Sequence, residues 1–537
     1  MLSKLVNEAW KHLRRGERAQ PQARRAHREQ LAQARRLLEQ GELGSAHDIC
    51  AALLAADPGL ADAWNVLGGI AFKQRDFALA ARHFAEAIAQ APERADLHNN
   101  YGYAMAEQFR IGEAVAAFRR AVEIDPRDPS AHPNLLWLMN MRPEFSAEER
   151  YREHCRWAES LAGTRRLPGH GHDRDPERAL RIGYVSSDFR NHAVGHFIEP
   201  ILAHHVKARF AAHCYSNSGE RDAATERMRA LAGGWRDIAG LSDDGVEALV
   251  REDRIDILID LSGHTRGNRL RVFARRPAPV QVTFLGYPAT TGMSAIDYRL
   301  TDALADPPGA ERHYRERLCR LPRSLWCYCP REDMPDVGRL PALACGQVTF
   351  GSMNGAAKLN AAVIAAWSLI LERVPASRLL IATVPRGEAE RRIRAEFARR
   401  GVGAERLEII DRVEQREYRK LFARVDIALD PFPCNGGTTT CESLWMGVPA
   451  VTLAGEEFRS RAGLSLLTAA GLPDLVARSV EEYVGIAAAL AGDLAALAAL
   501  RAGLRERLKG SPLADIGGYV AALEAAYRFM WRSWCRA

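Results

Sequence analysis

A run of twenty residues, DPFPCNGGTTTCESLWMGVP at 430–449, has the composition of a phosphate-binding loop that opens onto a helix. An apolar run before it predicts a buried strand, which Pro431 and Pro433 must end because proline cannot donate to a sheet. Gly436 and Gly437 then allow the backbone to approach a ligand closely. Residues of these types in this order favour nucleotide chemistry.

Three threonines stand where a helix through Glu442 would begin. The free N–H groups at a helix start, together with the helix dipole, attract an anion such as a diphosphate. We therefore expect Thr438 and Thr439 to contact phosphate. The plainer alternative is a capping box, in which Thr439 and Glu442 only close the helix start.

The segment FGSMNGAAKL at 350–359 predicts another strand, loop and helix start, with Asn354 in the loop and Lys358 in the first helical turn. A cation is unfavourable near a helix N-terminus unless an anion lies there too. Placed opposite Thr438, Lys358 would neutralise a diphosphate as it departs. The alternative is a surface lysine whose apolar stem packs on the fold.

Two histidines follow the first predicted strand of the region after residue 178, in SSDFRNHAVGHF at 186–197. Four residues separate His192 from His196, so both rings share one face if the segment is helical. A metal pair is one interpretation, but no third ligand is evident in the sequence. A general base or a phosphate partner fits better, because imidazole titrates near neutral pH.

Two further loops after strands hold polar residues that can line the same cleft. LSGHTRG at 261–267 contains His264, and FLGYPATTG at 284–292 contains Pro288 and Thr290 in a rigid loop with free backbone donors. A polar turn explains either segment as well. No GxxxxGK[ST] motif occurs in the sequence, which argues against an NTPase.

Strands alternate with helices from about residue 179 onward, which is typical of a parallel α/β sheet. A proline-rich passage at 330–341 divides this region into two similar halves. We expect two doubly wound lobes with a cleft between them. The loops described above would then lie at the carboxyl ends of strands, where such sheets bind ligands.

Aligning the chain on itself with a shift of 34 residues superimposes Gly68 on Gly102 and Phe84 on Phe118. That shift is the tetratricopeptide period. About three repeats and a truncated one are expected, and their concave groove is suited to extended peptides or partner helices. The alternative is that the repeats only support the next domain.

These patterns give the expected organisation of the chain. The boundaries are a basic leader at 1–28, repeats at 29–145, a linker at 146–178, a first lobe at 179–330, a second linker at 331–345, a second lobe at 346–510 and a C-terminal helix at 511–537.

With 47% hydrophobic and 26% charged residues, the composition is that of a soluble globular protein. Much of the formal net charge of +7 lies in the leader, where a solvated segment is favoured over a nucleic-acid arm. No run approaches the roughly 18 apolar residues of a membrane span. We therefore expect a cytoplasmic protein with no nucleic-acid and no membrane partner, while the oligomeric state stays open.

In this order and behind the repeats, these segments resemble the protein O-GlcNAc transferase and SPINDLY family of glycosyltransferases. The resemblance covers nearly the whole chain from about Leu31. The segments that carry it are GYVSSDFRNHAVGHF, DILIDLSGHTRGN, RPAPVQVTFLGYPATTG, FGSMNGAAKL and NGGTTTCESLWMGVPAVTLAGEEFRSR.

The resemblance implies a two-lobed GT-B fold, no metal or other cofactor, and inverting transfer of a sugar from a nucleotide diphosphate to Ser or Thr hydroxyls of proteins. It implies that His192 lies beside the donor, as a base whose role is disputed within the family, and that Lys358 stabilises the leaving diphosphate. Thr438 and Thr439 would bind the diphosphate, Glu442 the ribose, and Tyr418 would lie near the nucleobase. The complete set of implied donor-binding residues is Asn354, Gly355, Tyr418, Gly436, Gly437, Thr438, Thr439 and Glu442.

The sequence departs from the animal members of this family at two donor-contact positions. Those members carry glutamine where Gly355 stands and histidine where Gly437 stands. The large insert between the animal lobes is missing, and the repeat array is shorter. The segment TTTCESLWMGVP is more similar to the plant SPINDLY branch than to the animal enzymes, and members of that branch transfer fucose from GDP-fucose. UDP-GlcNAc is the favoured donor, with GDP-fucose as the alternative and a catalytically inactive repeat scaffold as another.

Overall fold

The computed structural model describes residues 25–164, 169–331 and 334–537. Contacts within the chain divide it between His132 and Pro133 into two compact units. The expected basic leader at 1–28 lies mostly outside the described residues, and its last four residues belong to a helix.

The first unit is built from helix pairs. Small residues on one helix of a pair admit a large ring from the other: a Cβ atom on Gly68 would lie 2.4 Å from the ring of Phe84, and one on Gly102 would lie 2.8 Å from the ring of Phe118. The repeat seen in the sequence is therefore a repeat of helix pairs. The helices are α1 at 25–40, α2 (Leu43–Ala56), α3 (Ala61–Lys73), α4 (Phe77–Gln90), α5 (Ala95–Glu107) and α6 (Ile111–Ile124).

Two helices, α7 (Ala131–Met141) and α8 (Ala147–Glu159), come before the first sheet. Most of α7, which was expected to be a truncated repeat, belongs to the second unit. The predicted linker at 146–178 is not a plain linker, because α8 occupies its first part and buries Trp157 in a hydrophobic cluster with first-lobe residues. Residues 165–168 of that segment lie outside the described residues.

The first lobe holds a parallel sheet. In the described part of the chain it has seven strands in the order β3-β2-β1-β4-β5-β6-β7. The central strands are buried on both faces, as parallel strands covered by helices must be. The strands are β1 (Leu180–Ser186), β2 (Phe210–Ser216), β3 (Gly234–Asp237), β4 (Ile257–Asp260), β5 (Val280–Thr283), β6 (Tyr298–Asp302) and β7 (Arg317–Leu321), and the helices between them are α9 (Ala193–His204), α10 (Ala223–Leu231), α11 (Asp243–Glu252) and α12 (Leu270–Ala274).

The second lobe repeats the plan. Among the described residues its parallel sheet has six strands in the order β10-β9-β8-β11-β12-β13. The strands are β8 (Val348–Ser352), β9 (Ser377–Ile381), β10 (Leu407–Ile409), β11 (Ile427–Leu429), β12 (Ala450–Leu453) and β13 (Val476–Ala477). The helices are α13 (Ala342–Cys345), α14 (Ala361–Arg373), α15 (Glu388–Ala398), α16 (Gln415–Leu421), α17 (Thr438–Trp445), α18 (Ala462–Ala469), α19 (Val480–Gly492) and α20 (Leu494–Lys509).

The last helix, α21 (Ile516–Arg536), returns from the second lobe and packs on the first. Its Tyr527 hydroxyl lies 3.1 Å from that of Tyr184 on β1, and Glu524 Oε1 lies 3.0 Å from His205 Nδ1 at the end of α9. Apolar residues of both lobes and of α21 form one continuous buried cluster. The predicted fold of helical repeats followed by two doubly wound lobes is confirmed.

Across the described ranges, no single helix has the length and apolar character needed to cross a bilayer. The pair α19 and α20 meets that test only when the two are taken together, and they are bent by 97° at their junction.

Candidate active site between the two lobes

Lys358 lies in the loop that follows β8, held by two oxygen atoms of the second lobe. Its Nζ donates to Asn354 Oδ1 at 3.0 Å and to the backbone carbonyl of Asn435 at 2.6 Å. The prediction that Lys358 occupies the first turn of a helix is wrong. It ends a short 3-10 turn (Ala356–Lys358), and α14 begins after Asn360, whose side chain caps it. The ammonium is therefore positioned by the loop and not by the start of α14.

The loop after β11 is organised by the carboxyl group of Asp430. Asp430 Oδ1 accepts from the backbone N–H of Gly436 at 2.6 Å, and Oδ2 accepts from the Thr452 hydroxyl at 2.8 Å. Complete burial raises the pKa of Asp430 to about 6, against the opposing effect of Lys358. Gly436 is required here, because a Cβ atom would lie 2.5 Å from the hydroxyls of Thr439 and Thr440.

The start of α17 faces the lysine loop. Thr439 Oγ1 donates to Asn354 Oδ1 at 3.1 Å, the same oxygen atom that accepts from Lys358. Gly437 precedes the helix and no side chain caps it, so the capping-box alternative for Thr439 and Glu442 is wrong. Lys358 and the first turn of α17, which begins at Thr438, are thus brought together as predicted.

A small cavity adjoins this group of residues. It is lined by Asn354, Asp430, Thr439 and Thr440 among others. The N–H groups at the start of α17 and the ammonium of Lys358 present positive charge to the same region. That combination favours a phosphate or diphosphate group.

Tyr418 of α16 and Glu442 of α17 are close enough to interact electrostatically. The Tyr418 hydroxyl donates to the Met353 carbonyl at 3.1 Å, which ties α16 to the loop after β8. Glu442 is buried, and burial raises its pKa to about 7, while Arg419 and Arg331 act in the opposite direction. The side chain is therefore ready to change charge near neutral pH.

The two glycines at which the sequence departs from the animal enzymes differ in their surroundings. A Cβ atom on Gly355 would have no neighbour within 4 Å, so the loop has room for a larger side chain. A Cβ atom on Gly437 would lie 3.3 Å from the ring of Trp326. A histidine at that position would therefore need Trp326 to move.

His192 is the residue that precedes α9, just beyond the carboxyl end of β1. Its Nδ1 accepts from the backbone N–H of Val194 at 3.3 Å and lies 3.7 Å from Asp188 Oδ1. Burial lowers the pKa of His192, although Asp188 opposes this effect. With Nδ1 as acceptor, the neutral ring carries its proton on Nε2 and is arranged to donate a hydrogen bond. The role of His192 as a base stays a prediction.

His196 lies one turn further along α9 and faces the second linker. Its Nε2 is 3.5 Å from Arg331 Nη1, and burial lowers its pKa to about 4, assisted by Arg331. Asn191 contacts both Arg331 and Gln415 of α16, with Gln415 Nε2 donating at 3.3 Å. The histidine segment of the first lobe therefore reaches across to α16 of the second lobe.

The other predicted cleft residues do not lie together. His264 is 1% exposed and packs edge-on against Trp157 of α8, with ring centroids 4.4 Å apart, so it does not line an open cleft. The Thr290 hydroxyl is buried and donates to Glu316 at 2.6 Å. Pro288 and Thr290 do line a pocket, together with residues of α8 and with Glu457 of the second lobe. Sequence order suggested one cleft because all three follow strands of the same sheet.

The sequence did not predict a role for several residues of the site. Asp430 and Asn435 belong to the loop already singled out, and an acid directly after a buried strand was an available signal for Asp430. Asn191, Gln415 and Arg331 carry no such signal, because their contacts join segments that are distant in sequence. In the described part of the chain, no group of three His, Cys, Asp or Glu residues is placed to hold a metal ion.

Two parallel-sheet lobes with binding loops at the carboxyl ends of their strands define the GT-B class of glycosyltransferases. The model of glycosyl transferase family 41 matches residues 126–335 and 339–523, and the tetratricopeptide repeat model matches residues 31–81 and 70–129. The chain belongs to glycosyl transferase family 41.

Individual proteins agree with this assignment. The probable UDP-N-acetylglucosamine–peptide N-acetylglucosaminyltransferase SPINDLY of Petunia hybrida is 42% identical over 77% of this chain and 45% of its own length. The SPINDLY protein of Arabidopsis thaliana is 41% identical over 77% of this chain and 46% of its own length. The chain therefore spans about half the length of these plant relatives.

A solved structure resembles almost the whole chain. The O-GlcNAc transferase of Thermobaculum terrenum, in a lysine-to-methionine mutant, superimposes with a TM-score of 0.88 at 37% identity. The match covers 95% of this chain and 98% of that one.

Proposed function

We propose that this protein transfers N-acetylglucosamine from UDP-GlcNAc to Ser or Thr hydroxyls of proteins, with inversion at the anomeric carbon. The observation that carries the proposal is the convergence of Lys358 and Thr439 on one oxygen atom of Asn354, beside the uncapped start of α17. The names of the plant relatives and of the Thermobaculum terrenum enzyme support GlcNAc as the transferred sugar.

The mechanism follows from the placement of charge. An acceptor hydroxyl attacks the anomeric carbon and gives its proton to a general base as the bond to the diphosphate oxygen breaks, so negative charge grows on the leaving group. Lys358 has three N–H donors and uses two on Asn354 and Asn435, which leaves one for that oxygen. Together with the N–H groups at the start of α17, it stabilises the charge as it develops. In this proposal the leaving group needs no metal ion.

Asp430 supports this arrangement without taking part in it. Its buried carboxyl group holds the backbone of Gly436 and so fixes the loop that leads to Thr438. Catalytic geometry has to be maintained to within a fraction of an ångström, and a loop held by a buried side chain achieves this better than a free one.

The proposed acceptor is a polypeptide, because helix-pair repeats present grooves that bind extended peptides. GDP-fucose is the second candidate donor, favoured by the resemblance of the α17 segment to the SPINDLY branch. The proposed location is the cytoplasm, as expected from the composition.

The donor is tested by calorimetric titration of the full chain with UDP, GDP, UDP-GlcNAc and GDP-fucose, followed by transfer assays with the two sugars and a protein acceptor. We expect UDP and UDP-GlcNAc to bind and GlcNAc to be transferred, with turnover unchanged by EDTA. If only GDP binds and only fucose is transferred, GDP-fucose replaces UDP-GlcNAc as the proposed donor. Absence of both transfer and donor hydrolysis would leave the scaffold interpretation and overturn the proposal.

A further inference from the structure

Two buried arginines outside the predicted site join the end of α7 to the loops that hold Lys358. Arg459, in the loop after β12, is 6% exposed. Its Nη1 donates to the backbone carbonyls of Asn140 at 2.7 Å and Arg142 at 3.0 Å. Both carbonyls lie at the C-terminal end of α7, where helix carbonyls lack partners within the helix.

The backbone of Arg459 continues this connection to the lysine. Its carbonyl accepts from the N–H of Asn435 at 2.8 Å. The carbonyl of Asn435 in turn accepts from Lys358 Nζ at 2.6 Å. Two hydrogen bonds therefore separate the residue that clamps α7 from the ammonium group.

A second hydrogen bond connects the end of α7 to the lysine loop, so that the connections form a closed ring. Arg142 is also buried, and its Nη1 donates to the carbonyl of Leu359 at 2.7 Å. Leu359 directly follows Lys358 in the chain. The ring runs from the end of α7 through Arg459 and Asn435 to Lys358, and back through Leu359 and Arg142.

A buried guanidinium group is a costly way to fill this space. Burial lowers the pKa of Arg459 to about 10, and its nearest carboxylate oxygen, Glu457 Oε1, is 3.7 Å away. Replacing buried charged groups by apolar ones of similar volume is often neutral or stabilising. Stability alone therefore does not account for an arginine here, whereas its two fixed donor directions do.

We propose that Arg459 is a positioning residue for Lys358. By clamping the carbonyls at the end of α7, it fixes the backbone of Asn435, whose carbonyl directs the ammonium toward the leaving diphosphate. This inference rests on the proposed function, because it assigns Arg459 a role only through the leaving-group role of Lys358. Arg142 supports the same lysine from the other side through Leu359.

The test compares Arg459→Met with Arg461→Met in the full chain. Arg461 is a matched control: it lies in the same loop and also donates to two backbone carbonyls, those of Leu304 at 2.7 Å and Gly455 at 2.9 Å, but these are not in the ring. We expect Arg459→Met to lower kcat about 10- to 100-fold, as small misplacements of catalytic groups do, with little change in the acceptor KM. Arg461→Met should leave kcat within about threefold of the parent.

A double-mutant cycle separates positioning from general damage. The affinity for UDP, and separately for GDP, is measured by calorimetry in the parent, Arg459→Met, Lys358→Met and the double variant. If Arg459 acts through Lys358, its substitution weakens binding of the nucleotide that the parent binds, yet has almost no effect once Lys358 is methionine. Losses that add, or equal kcat values for the two arginine variants, would overturn the proposal.

Failure of the positioning role can be distinguished from failure of the proposed function. If Arg459→Met does not fold, as judged by its melting temperature, Arg142→Met is put through the same cycle and must show the same loss of additivity. If Lys358→Met itself keeps the parent's affinity and turnover, the proposed function's leaving-group step is wrong. If Lys358→Met loses both while Arg459→Met behaves like Arg461→Met, only the positioning role is wrong.

Discussion

Asn354 is the residue on which the two halves of the proposed diphosphate site converge. A single amide oxygen accepts from the Lys358 ammonium and from the Thr439 hydroxyl. Its own backbone carbonyl accepts from the Thr383 hydroxyl, so the loop that carries the side chain is held as well. Side chains fixed in this way before a ligand arrives lose little entropy when it binds.

The buried carboxyl group of Glu442 predicts a pH dependence of nucleotide binding. Burial raises its pKa to about 7, so the carboxyl group ionises as the pH rises through neutrality. An ionised carboxylate accepts stronger hydrogen bonds from ribose hydroxyls than a neutral one does. We therefore expect the affinity for uridine and UDP to rise from pH 6 to pH 8, measured by calorimetry.

The control for that prediction is Glu442→Gln, which keeps the size of the side chain and cannot ionise. It should weaken binding by about 1.5–3 kcal/mol at pH 8 and remove the pH dependence seen with uridine, which has no phosphate of its own to titrate. An unchanged pH profile in this variant would show that another group is responsible.

At the scale of elements, the loops at the carboxyl ends of β8 and β11 determine where the charges lie. Both loops were recognised from their residue types, and the sequence correctly predicted that they face each other. The helix assignment of Lys358 failed because Asn360, two residues later, is the better N-cap and starts α14 there.

Gly436 provides a test at this scale. Its replacement by alanine places a Cβ atom 2.5 Å from two threonine hydroxyls, so the start of α17 has to move away from Asn354. We expect kcat/KM to fall about 10- to 100-fold, which corresponds to about 1.4–2.8 kcal/mol of transition-state stabilisation.

Gly485→Ala is the matched control for this change. Gly485 lies within α19, where an added Cβ atom has no neighbour within 4 Å. Alanine there should keep full activity and raise stability by about 0.5–1 kcal/mol. If both glycine variants retain the parent's kcat/KM, the close packing around Gly436 has no catalytic importance.

Contacts between elements that are far apart along the chain could not be predicted from the sequence. The bond between Arg459 and the end of α7 joins residues 319 apart, and the contact between Asn191 and Gln415 joins residues 224 apart. His264 was instead wrongly predicted to line the cleft. A histidine after a strand suggested a cleft residue, but it packs against His154 and Trp157 of α8, which the sequence placed in a linker.

For the whole molecule, we propose that one unit binds the nucleotide and the other binds the acceptor. The residues proposed to bind the nucleotide all lie in the second unit, and the repeats lie in the first. Phe84→Ala removes a buried ring that packs on Gly68 and should destabilise the repeats by about 3–5 kcal/mol. We expect normal UDP affinity and donor hydrolysis in this variant, but reduced transfer to a protein acceptor at temperatures where the repeats unfold.

That comparison depends on measuring both activities across a temperature range, with unfolding followed by circular dichroism. Transfer that stays equal to the parent's after the repeats have unfolded would exclude the repeats from acceptor binding. The alternative that they only support the second unit predicts that donor hydrolysis falls together with transfer.

The central claim, that Lys358 and the start of α17 jointly bind the diphosphate, is tested most directly by a crystal structure of the protein with UDP or GDP bound. We predict that the terminal phosphate lies within hydrogen-bond distance of Lys358 Nζ and of backbone N–H groups at Thr438 and Thr439. A diphosphate bound elsewhere in the cleft, out of reach of either group, would contradict the account.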